Sequence, residues 1–433
     1  MTPVRIGMPA GTLRGDTTVP GDKSITHRAL LLGALADGTT EVRGFSGGAD
    51  VRATLEAVRV LGAPATCEGE VVRVEGAGLE LGAGRDVDLD CANSGTTMRL
   101  GMGVVAGVDA ACTLDGDASL RRRPMERVAE PLRAMGAAVE TTAGRAPVRI
   151  RGGALRGLDY TLPVASAQLK SAVLLAGLRA HGRTQVREPL PSRDHTERML
   201  GHFGVHLARD GGRMVLVGGQ RLRAAAVPVP GDPSSAAFLL VAALLVPGSE
   251  VRVRGVGLNP TRIGALEILR RMGANVLVEG AHDEAGEPRG DLVARASRLR
   301  GTSISAEEVP AAIDELPLLA IAAVFAEGET RITGAGELRV KESDRLAALE
   351  QLGPLGAPLR VTADGLLVRG LGGVPLRGGR VEARGDHRIA MAFAVAGLRA
   401  ERGVEIDDPE CVAVSFPGFF SSLAGLGAMV EDR

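Results

Sequence analysis

Val19-Pro20-Gly21-Asp22-Lys23-Ser24 recurs, with its turn intact and its lysine replaced, as Val229-Pro230-Gly231-Asp232-Pro233-Ser234. Each copy turns on Pro-Gly-Asp and runs into a stretch that is apolar on every face, the mark of a buried helix. Both helices end at a glycine (Gly38, Gly248), followed by a short alternating strand (40–44, 250–255). Both then enter an amphipathic helix that closes on Leu61-Gly62-Ala63 or Met272-Gly273-Ala274. That closing tripeptide returns as Met135-Gly136-Ala137, Phe203-Gly204-Val205, Leu355-Gly356-Ala357 and Leu426-Gly427-Ala428, where glycine suits a helix C-terminus. After most copies comes a strand pair, such as 65–67 with 71–75. The chain therefore reads as six copies of one unit: strand, apolar helix, strand, amphipathic helix, strand, strand.

Six units in 433 residues, 45% of them hydrophobic, predict an α/β protein of two three-unit domains. The seam falls near residues 226–230, giving one domain over 20–229 and another over 1–19 with 230–433. Residues 280–290 read as an exposed loop. A net charge of −1, one Tyr and no Trp argue against nucleic-acid binding, and Arg121-Arg122-Arg123 is too short for a nucleic-acid arm. The four cysteines have no Cys-x-x-Cys spacing, so no metal site is expected and the thiols should be reduced. The opening Met1–Ile6 segment carries no signal-peptide run, and no stretch of about 20 apolar residues could span a membrane, so a cytoplasmic setting is expected. Nucleotide-binding glycine loops are absent, leaving cofactor readings without support.

The helix starts carry the unusual residues. Of 51 Lys plus Arg, only Lys23, Lys170 and Lys341 are lysine. In a chain that otherwise writes positive charge as Arg, a lysine suggests a place where a compact ammonium is required. Lys170, inside an apolar helix, reads equally as packing or accident. Unit one opens with Lys23, Ser24 and Arg28, unit two with Asn93-Ser94-Gly95-Thr96-Thr97, and unit three with Ser166-Ala167-Gln168. Units five and six open with Asp314-Glu315 and Asp386-His387-Arg388. The amphipathic helices add Arg123, Ser192-Arg193 and Lys341-Glu342-Ser343-Asp344-Arg345. Six cations (Lys23, Arg28, Arg123, Lys341, Arg345, Arg388) against Asp314 and Glu342 predict a polyanion site, with the two carboxylates available for proton transfer. The i,i+4 spacing of Lys341 and Arg345 would put both on one helix face, where like charges need an anion between them. His27 and His387 adjoin these residues, and for each a structural role or a neutral hydrogen bond is as good a reading as catalysis.

These motifs resemble the 5-enolpyruvylshikimate-3-phosphate synthase family over essentially the whole chain. The matching stretches are Pro20-Gly21-Asp22-Lys23-Ser24-x-x-x-Arg28, Asn93-Ser94-Gly95-Thr96-x-Met98-Arg99, Gly116-Asp117-x-Ser119-x-x-x-Arg123-Pro124-Met125 and Ser166-Ala167-Gln168. They continue with Asp314-Glu315-x-Pro317, Lys341-Glu342-Ser343-Asp344-Arg345 and Gly385-Asp386-His387-Arg388-x-Ala390-Met391. Any one is weak, whereas the set in order is specific. The resemblance implies a two-domain inside-out α/β barrel, each domain three βαβαββ repeats around buried helices. It implies transfer of the enolpyruvyl group of phosphoenolpyruvate to the 5-hydroxyl of shikimate 3-phosphate by addition and elimination, with no cofactor, in a monomer.

By the same resemblance, Lys23, Ser24, Arg28, Ser166, Gln168, Ser192, Arg193, Asp314 and Lys341 should contact shikimate 3-phosphate. Lys23, Gly95, Arg123, Gln168, Arg345 and Arg388 should contact phosphoenolpyruvate. Asp314 would take the hydroxyl proton, and Glu342, with Lys23, would deliver one to the methylene carbon. The chain departs from the enterobacterial branch at Val414-Ser415-Phe416-Pro417, which lacks a lysine before Phe-Pro, and at Leu100, His195 and Glu337. The sister family acting on UDP-N-acetylglucosamine has Lys-Asn in place of Lys23-Ser24 and a cysteine on the loop that here reads Ala118-Ser119-Leu120-Arg121-Arg122. A non-catalytic anion-binding relative is the other alternative, and retention of both carboxylates and of Lys23 and Lys341 speaks against it.

Overall fold

A computed structural model describes residues 2–432. The chain divides into two compact units, one of residues 21–229 with 284–287, the other of residues 1–20, 230–283 and 288–433. We call them the Lys23 unit and the Lys341 unit.

The Lys23 unit holds α1 (Lys23–Leu35), α2 (Ala49–Val60), α3 (Gly95–Ala106), α4 (Glu126–Met135), α5 (Ala167–Gly177) and α6 (His195–His202). The odd-numbered helices are the apolar ones, and from Ile25 to Leu35 every residue of α1 is buried. Each leucine taken out of water this way contributes about 1.5–3 kcal/mol, so packing rather than local propensity holds these helices. α3 and α5 approach to backbone contact: a Cβ on Gly103 would lie 2.3 Å from the carbonyl oxygen of Ala172, so only glycine fits there. The even-numbered helices bury one stripe each. In α4 that stripe is Val128, Ala129, Pro131, Leu132 and Met135.

The Lys341 unit repeats the plan with α7 (Pro233–Leu245), α8 (Gly264–Arg271), the short α9 (Val309–Ala312), α10 (Leu316–Phe325), α11 (Arg345–Leu349), α12 (His387–Gly397) and α13 (Phe419–Gly425). Here α7, α10 and α12 are the buried helices. The six closing glycines predicted to end the amphipathic helices all adopt left-handed backbone, with φ of 99° at Gly62, 110° at Gly136, 83° at Gly204, 93° at Gly273, 108° at Gly356 and 106° at Gly427. A side chain at any of them would be strained.

Six sheets, three per unit, share one topology: a parallel pair at one edge followed by two antiparallel pairings. Arg85–Asp90 runs parallel to Ala110–Asp115, which pairs antiparallel with Arg145–Arg151, and that strand with Ala138–Thr142. Segments next to the unit boundaries complete this pattern. Ala226–Pro228 supplies the parallel strand beside Ala36–Arg43, and Arg14–Thr17 the one beside Glu250–Gly257. Val4–Gly7 sits between Val404–Ile406 and Met429–Asp432, so the residues before Val19 pair within the Lys341 unit.

Residues 280–290 are not a loop. They complete a hairpin of Asn275–Glu284 and Glu287–Arg295, and the turn residues 284–287 group with the Lys23 unit. The first strand is exposed along nearly its whole length, so it lacks the two-residue alternation by which a half-buried strand is recognised.

Candidate active site

In the Lys23 unit the buried helices begin at capped N-termini. Asp22 caps α1, accepting from the amide of Ile25 at 3.0 Å; Ser94 caps α3 and Ser166 caps α5. Capping satisfies part of each helix start and leaves the polar residues just beyond it near the positive end of the dipole. Lys23 Nζ lies 2.8 Å from Asp50 Oδ2 in the first turn of α2, with 15% and 8% of the two side chains exposed.

Ser24, Arg28 and Arg193 come together. Arg28 is buried and donates to the Ser24 carbonyl oxygen at 2.9 Å, to Thr196 Oγ1 at 2.7 Å and to Ser171 Oγ at 2.8 Å. Arg193 Nη1 donates to Ser24 Oγ at 3.3 Å. Burial lowers the Arg28 guanidinium, and Arg193 adds to the effect against Glu197, to about 10. It remains charged at neutral pH. Ser192 and Arg193 lie in the segment before α6 rather than in the helix, which starts at His195.

Gly95, Arg123 and Gln168 meet around the start of α3. A Cβ at Gly95 would stand 3.0 Å from Arg99 Nη1 and 3.2 Å from Arg123 Nη1, so glycine leaves the two guanidinium groups their place. Arg123 donates to Asn93 Oδ1 at 2.6 Å, and Asn93 in turn donates to Asp117 Oδ2 at 2.6 Å. The Gln168 side chain accepts from Arg99 at 2.7 Å and donates to Thr96 Oγ1 at 2.9 Å. Ser166 serves as the cap of α5, its hydroxyl accepting from the Leu169 amide at 3.3 Å.

The Lys341 unit gathers Asp314, Lys341, Glu342, Arg345 and Arg388 into one cluster. Asp314 Oδ1 lies 3.5 Å from Arg345 Nη1 and 3.7 Å from Lys341 Nζ, while Arg388 Nη2 is 3.6 Å from Asp314 Oδ2. Arg345 Nη2 donates to Glu342 Oε2 at 2.6 Å, and Arg345 Nε to Asp386 Oδ2 at 2.8 Å. Burial alone would lower the Arg345 guanidinium, but Asp386, Glu342 and Asp314 outweigh it and hold the group above its ordinary value. Asp386 also caps α12 through the Arg388 amide at 3.0 Å. Arg388 donates to the Asp314 carbonyl oxygen at 3.1 Å, and Ser234 bonds the neighbouring Glu315.

Two expectations change. Lys341 and Arg345 do not share a helix face, because a 3-10 turn ends at Val340 and α11 starts only at Arg345. They meet on Asp314 because the intervening loop folds back, and its carboxylate offsets their repulsion. The cation surplus is also smaller than six against two: Asp50, Asp386 and Glu315 hold these cations already. Each partner lies far from its cation in sequence, so residue spacing could not reveal them. The cap position of Asp386 before an apolar helix was the one legible sign.

His27 sits in a defined setting. It is fully buried, with Nδ1 2.6 Å from Thr54 Oγ1, and burial followed by the charges of Lys23 and Arg28 keeps its pKa well below the usual histidine value. Both effects favour a neutral, hydrogen-bonded His27. Lys170 is no accident of composition, since its fully buried ammonium contacts Glu188 and Glu197.

A model of the family described as EPSP synthase (3-phosphoshikimate 1-carboxyvinyltransferase) matches residues 8–423. The chain is 56% identical over 427 residues to the 3-phosphoshikimate 1-carboxyvinyltransferase of Halorhodospira halophila, covering 98% of this chain and 96% of that one. It is 52% identical over 428 residues to the protein of the same name from Methylococcus capsulatus, covering 98% and 97%. The structure of EPSP synthase from Acinetobacter baumannii superposes with a TM-score of 0.88 at 45% identity, covering both chains completely. The two-unit fold, the ordered motifs and these similarities together place the chain in the EPSP synthase (3-phosphoshikimate 1-carboxyvinyltransferase) family.

Proposed function

We propose that this protein transfers the enolpyruvyl group of phosphoenolpyruvate to the 5-hydroxyl of shikimate 3-phosphate, a step of aromatic amino-acid biosynthesis. Membership of the family supports this reading. The observation that carries it to named atoms is Asp314, whose carboxylate stands among Lys341, Arg345 and Arg388 while 14% of its side chain stays exposed to meet a ligand.

Lys23, Ser24, Arg28, Ser166, Gln168, Ser192, Arg193, Asp314 and Lys341 hold shikimate 3-phosphate. Lys23, Gly95, Arg123, Gln168, Arg345 and Arg388 hold phosphoenolpyruvate. In the addition step the 5-hydroxyl oxygen bonds to the enol carbon of phosphoenolpyruvate, Asp314 takes the hydroxyl proton, and Glu342, with Lys23, gives a proton to the methylene carbon. In the elimination step that methyl group loses a proton, the carbon–oxygen bond to phosphate breaks, and the enol ether forms. Cations fixed before the substrates arrive stabilise the charge that develops without having to reorganise. The protein acts in the cytoplasm as a monomer and uses no cofactor.

A nucleotide-sugar acceptor is disfavoured by the chain's own chemistry. Cys112 lies inside the strand Ala110–Asp115, where burial, with Asp86 and Asp88, pushes its thiol up to about 11, unsuited to proton transfer at neutral pH. The test is phosphate release from phosphoenolpyruvate with either acceptor. Release is expected with shikimate 3-phosphate alone. Release with UDP-N-acetylglucosamine, or none with shikimate 3-phosphate, would overturn the reading.

A further inference from the structure

The third lysine is buried without being idle. Lys170 lies near the start of α5, and its side chain has no exposed surface. Its Nζ stands 2.9 Å from Glu197 Oε1 and 3.1 Å from Glu188, and donates to the Ser192 carbonyl oxygen at 3.3 Å. These partners belong to one segment. Glu188 directly follows the strand Arg183–Arg187, Ser192 is near its middle, and Glu197 lies in the first turn of α6. One ammonium therefore grips the segment at both ends and in between.

Glu188 extends the grip. Its Oε2 accepts from Ser192 Oγ at 2.6 Å and from the Ser192 amide at 3.2 Å. Next in the chain is Arg193, which reaches Ser24. At Thr196 the segment is tied to Arg28, and Thr196 Oγ1 lies 2.6 Å from the Oγ of Ser171, the residue after Lys170. The Glu188 and Glu197 carboxylates face Lys170, and the charge of Glu197 acts on Arg28 as well, so loss of the ammonium would leave negative charge without its partner in a buried place. The contacts radiate from a single nitrogen. A planar guanidinium, with its donors fixed in one plane, does not match contacts that radiate from one nitrogen.

We propose that Lys170 is a positioning residue for shikimate 3-phosphate: it fixes the 188–197 segment so that Ser192 and Arg193 stand beside Ser24 and Arg28. This rests on the binding roles given above, and it adds a residue that itself touches no substrate. Lys170 would thus govern affinity for one substrate and not the other.

The experiment compares wild type, Lys170→Arg, Lys170→Met and Arg193→Ala in steady-state phosphate release, varying each substrate separately. Arg193→Ala is the benchmark: a raised KM for shikimate 3-phosphate there upholds the contact role of the segment, independently of Lys170. For Lys170→Arg, which keeps the charge, KM for shikimate 3-phosphate should rise about tenfold while KM for phosphoenolpyruvate stays within about twofold. Lys170→Met should show the same split, more strongly. If Lys170→Met does not fold, Lys170→Arg and Glu188→Gln decide the matter in its place, since each keeps the site filled. Folded Lys170 variants with an unchanged KM for shikimate 3-phosphate, or with both KM values moving together, would overturn the proposal. Loss of wild-type turnover with shikimate 3-phosphate would instead overturn the functional reading.

Discussion

Arg345 and Asp386 form a pair with Nε 2.8 Å from Oδ2, and neither side chain is more than 1% exposed. Asp386 does three tasks: it caps α12, accepts from Ser343 Oγ at 3.0 Å, and fixes the guanidinium proposed to bind phosphoenolpyruvate. Removing Asp386 takes away the α12 cap and the Nε partner while Glu342 and Asp314 still hold Arg345, so the cost should fall below the roughly 3–5 kcal/mol of a fully stranded buried charge. Asp386→Ala should still lower the urea midpoint below that of wild type. A midpoint unchanged from wild type would mean that Glu342 and Asp314 are enough to hold Arg345 without Asp386.

Lys23 and Asp50 make the corresponding pair in the other unit. If the ammonium takes part in proton delivery, an arginine of equal charge cannot replace it, because a guanidinium does not give up a proton near neutral pH. Lys23→Arg should reduce kcat by about 100-fold, within the range of acid–base contributions, while leaving the thermal midpoint near wild type. Single-turnover measurements at saturating substrates would show whether chemistry is the step affected. Retained turnover would remove Lys23 from the proton path.

Asp314→Asn and Glu342→Gln keep shape and remove the ionisable group. Each should lower turnover by about 10²–10⁴-fold with the protein still folded. Circular dichroism alongside phosphate release separates the two effects. A variant at either position with wild-type kcat would end that residue's catalytic assignment.

At Gly95 the contacts are with the far ends of two arginine side chains, 3.0 and 3.2 Å from the place of an added Cβ. They can move, so Gly95→Ala should fold normally. Their movement should raise KM for phosphoenolpyruvate about tenfold and leave KM for shikimate 3-phosphate near wild type. Equal shifts in both would place the effect in the fold of α3 instead.

His27 predicts a pH dependence. Its folded-state pKa is depressed, so the unfolded chain binds the proton first as pH falls. The stability it contributes is present above the unfolded value of about 6.5 and is lost on acidification below it, by up to about 1.4 kcal/mol per pH unit. His27→Asn, which can still bond Thr54, should flatten the dependence of the urea midpoint between about pH 6.5 and 5. The same slope in wild type and variant would contradict a neutral buried His27.

The fold was legible because each repeat announces itself locally. Apolar helices, capped starts and six glycines with left-handed φ all reflect constraints between near neighbours, and residue order records these directly. The hairpin at residues 275–295 escaped because its first strand is exposed along nearly its whole length and so lacks alternation. Among site residues, chemical type was enough to single out Lys23, Asp314 and Arg388 at the starts of buried helices and Lys341, Glu342 and Arg345 in the charged run ahead of an amphipathic one. Family resemblance supplied the roles of Gly95, Ser166 and Gln168.

Sequence alone thus determined the six-unit plan, the helices to be buried and the kinds of charge placed at their starts. Tertiary structure decided which charge holds which. Asp50 lies 27 residues from Lys23 and Asp386 lies 41 from Arg345, and Lys341 joins Arg345 on Asp314 by a loop rather than a helix face. Coulomb attraction acts through space, and its strength depends on burial, so neither partner nor magnitude is written in spacing along the chain. Lys170 is the plainest case. A lysine in an apolar helix has no meaning by itself, and it acquires one only when folding brings Glu188, Ser192 and Glu197 around its ammonium.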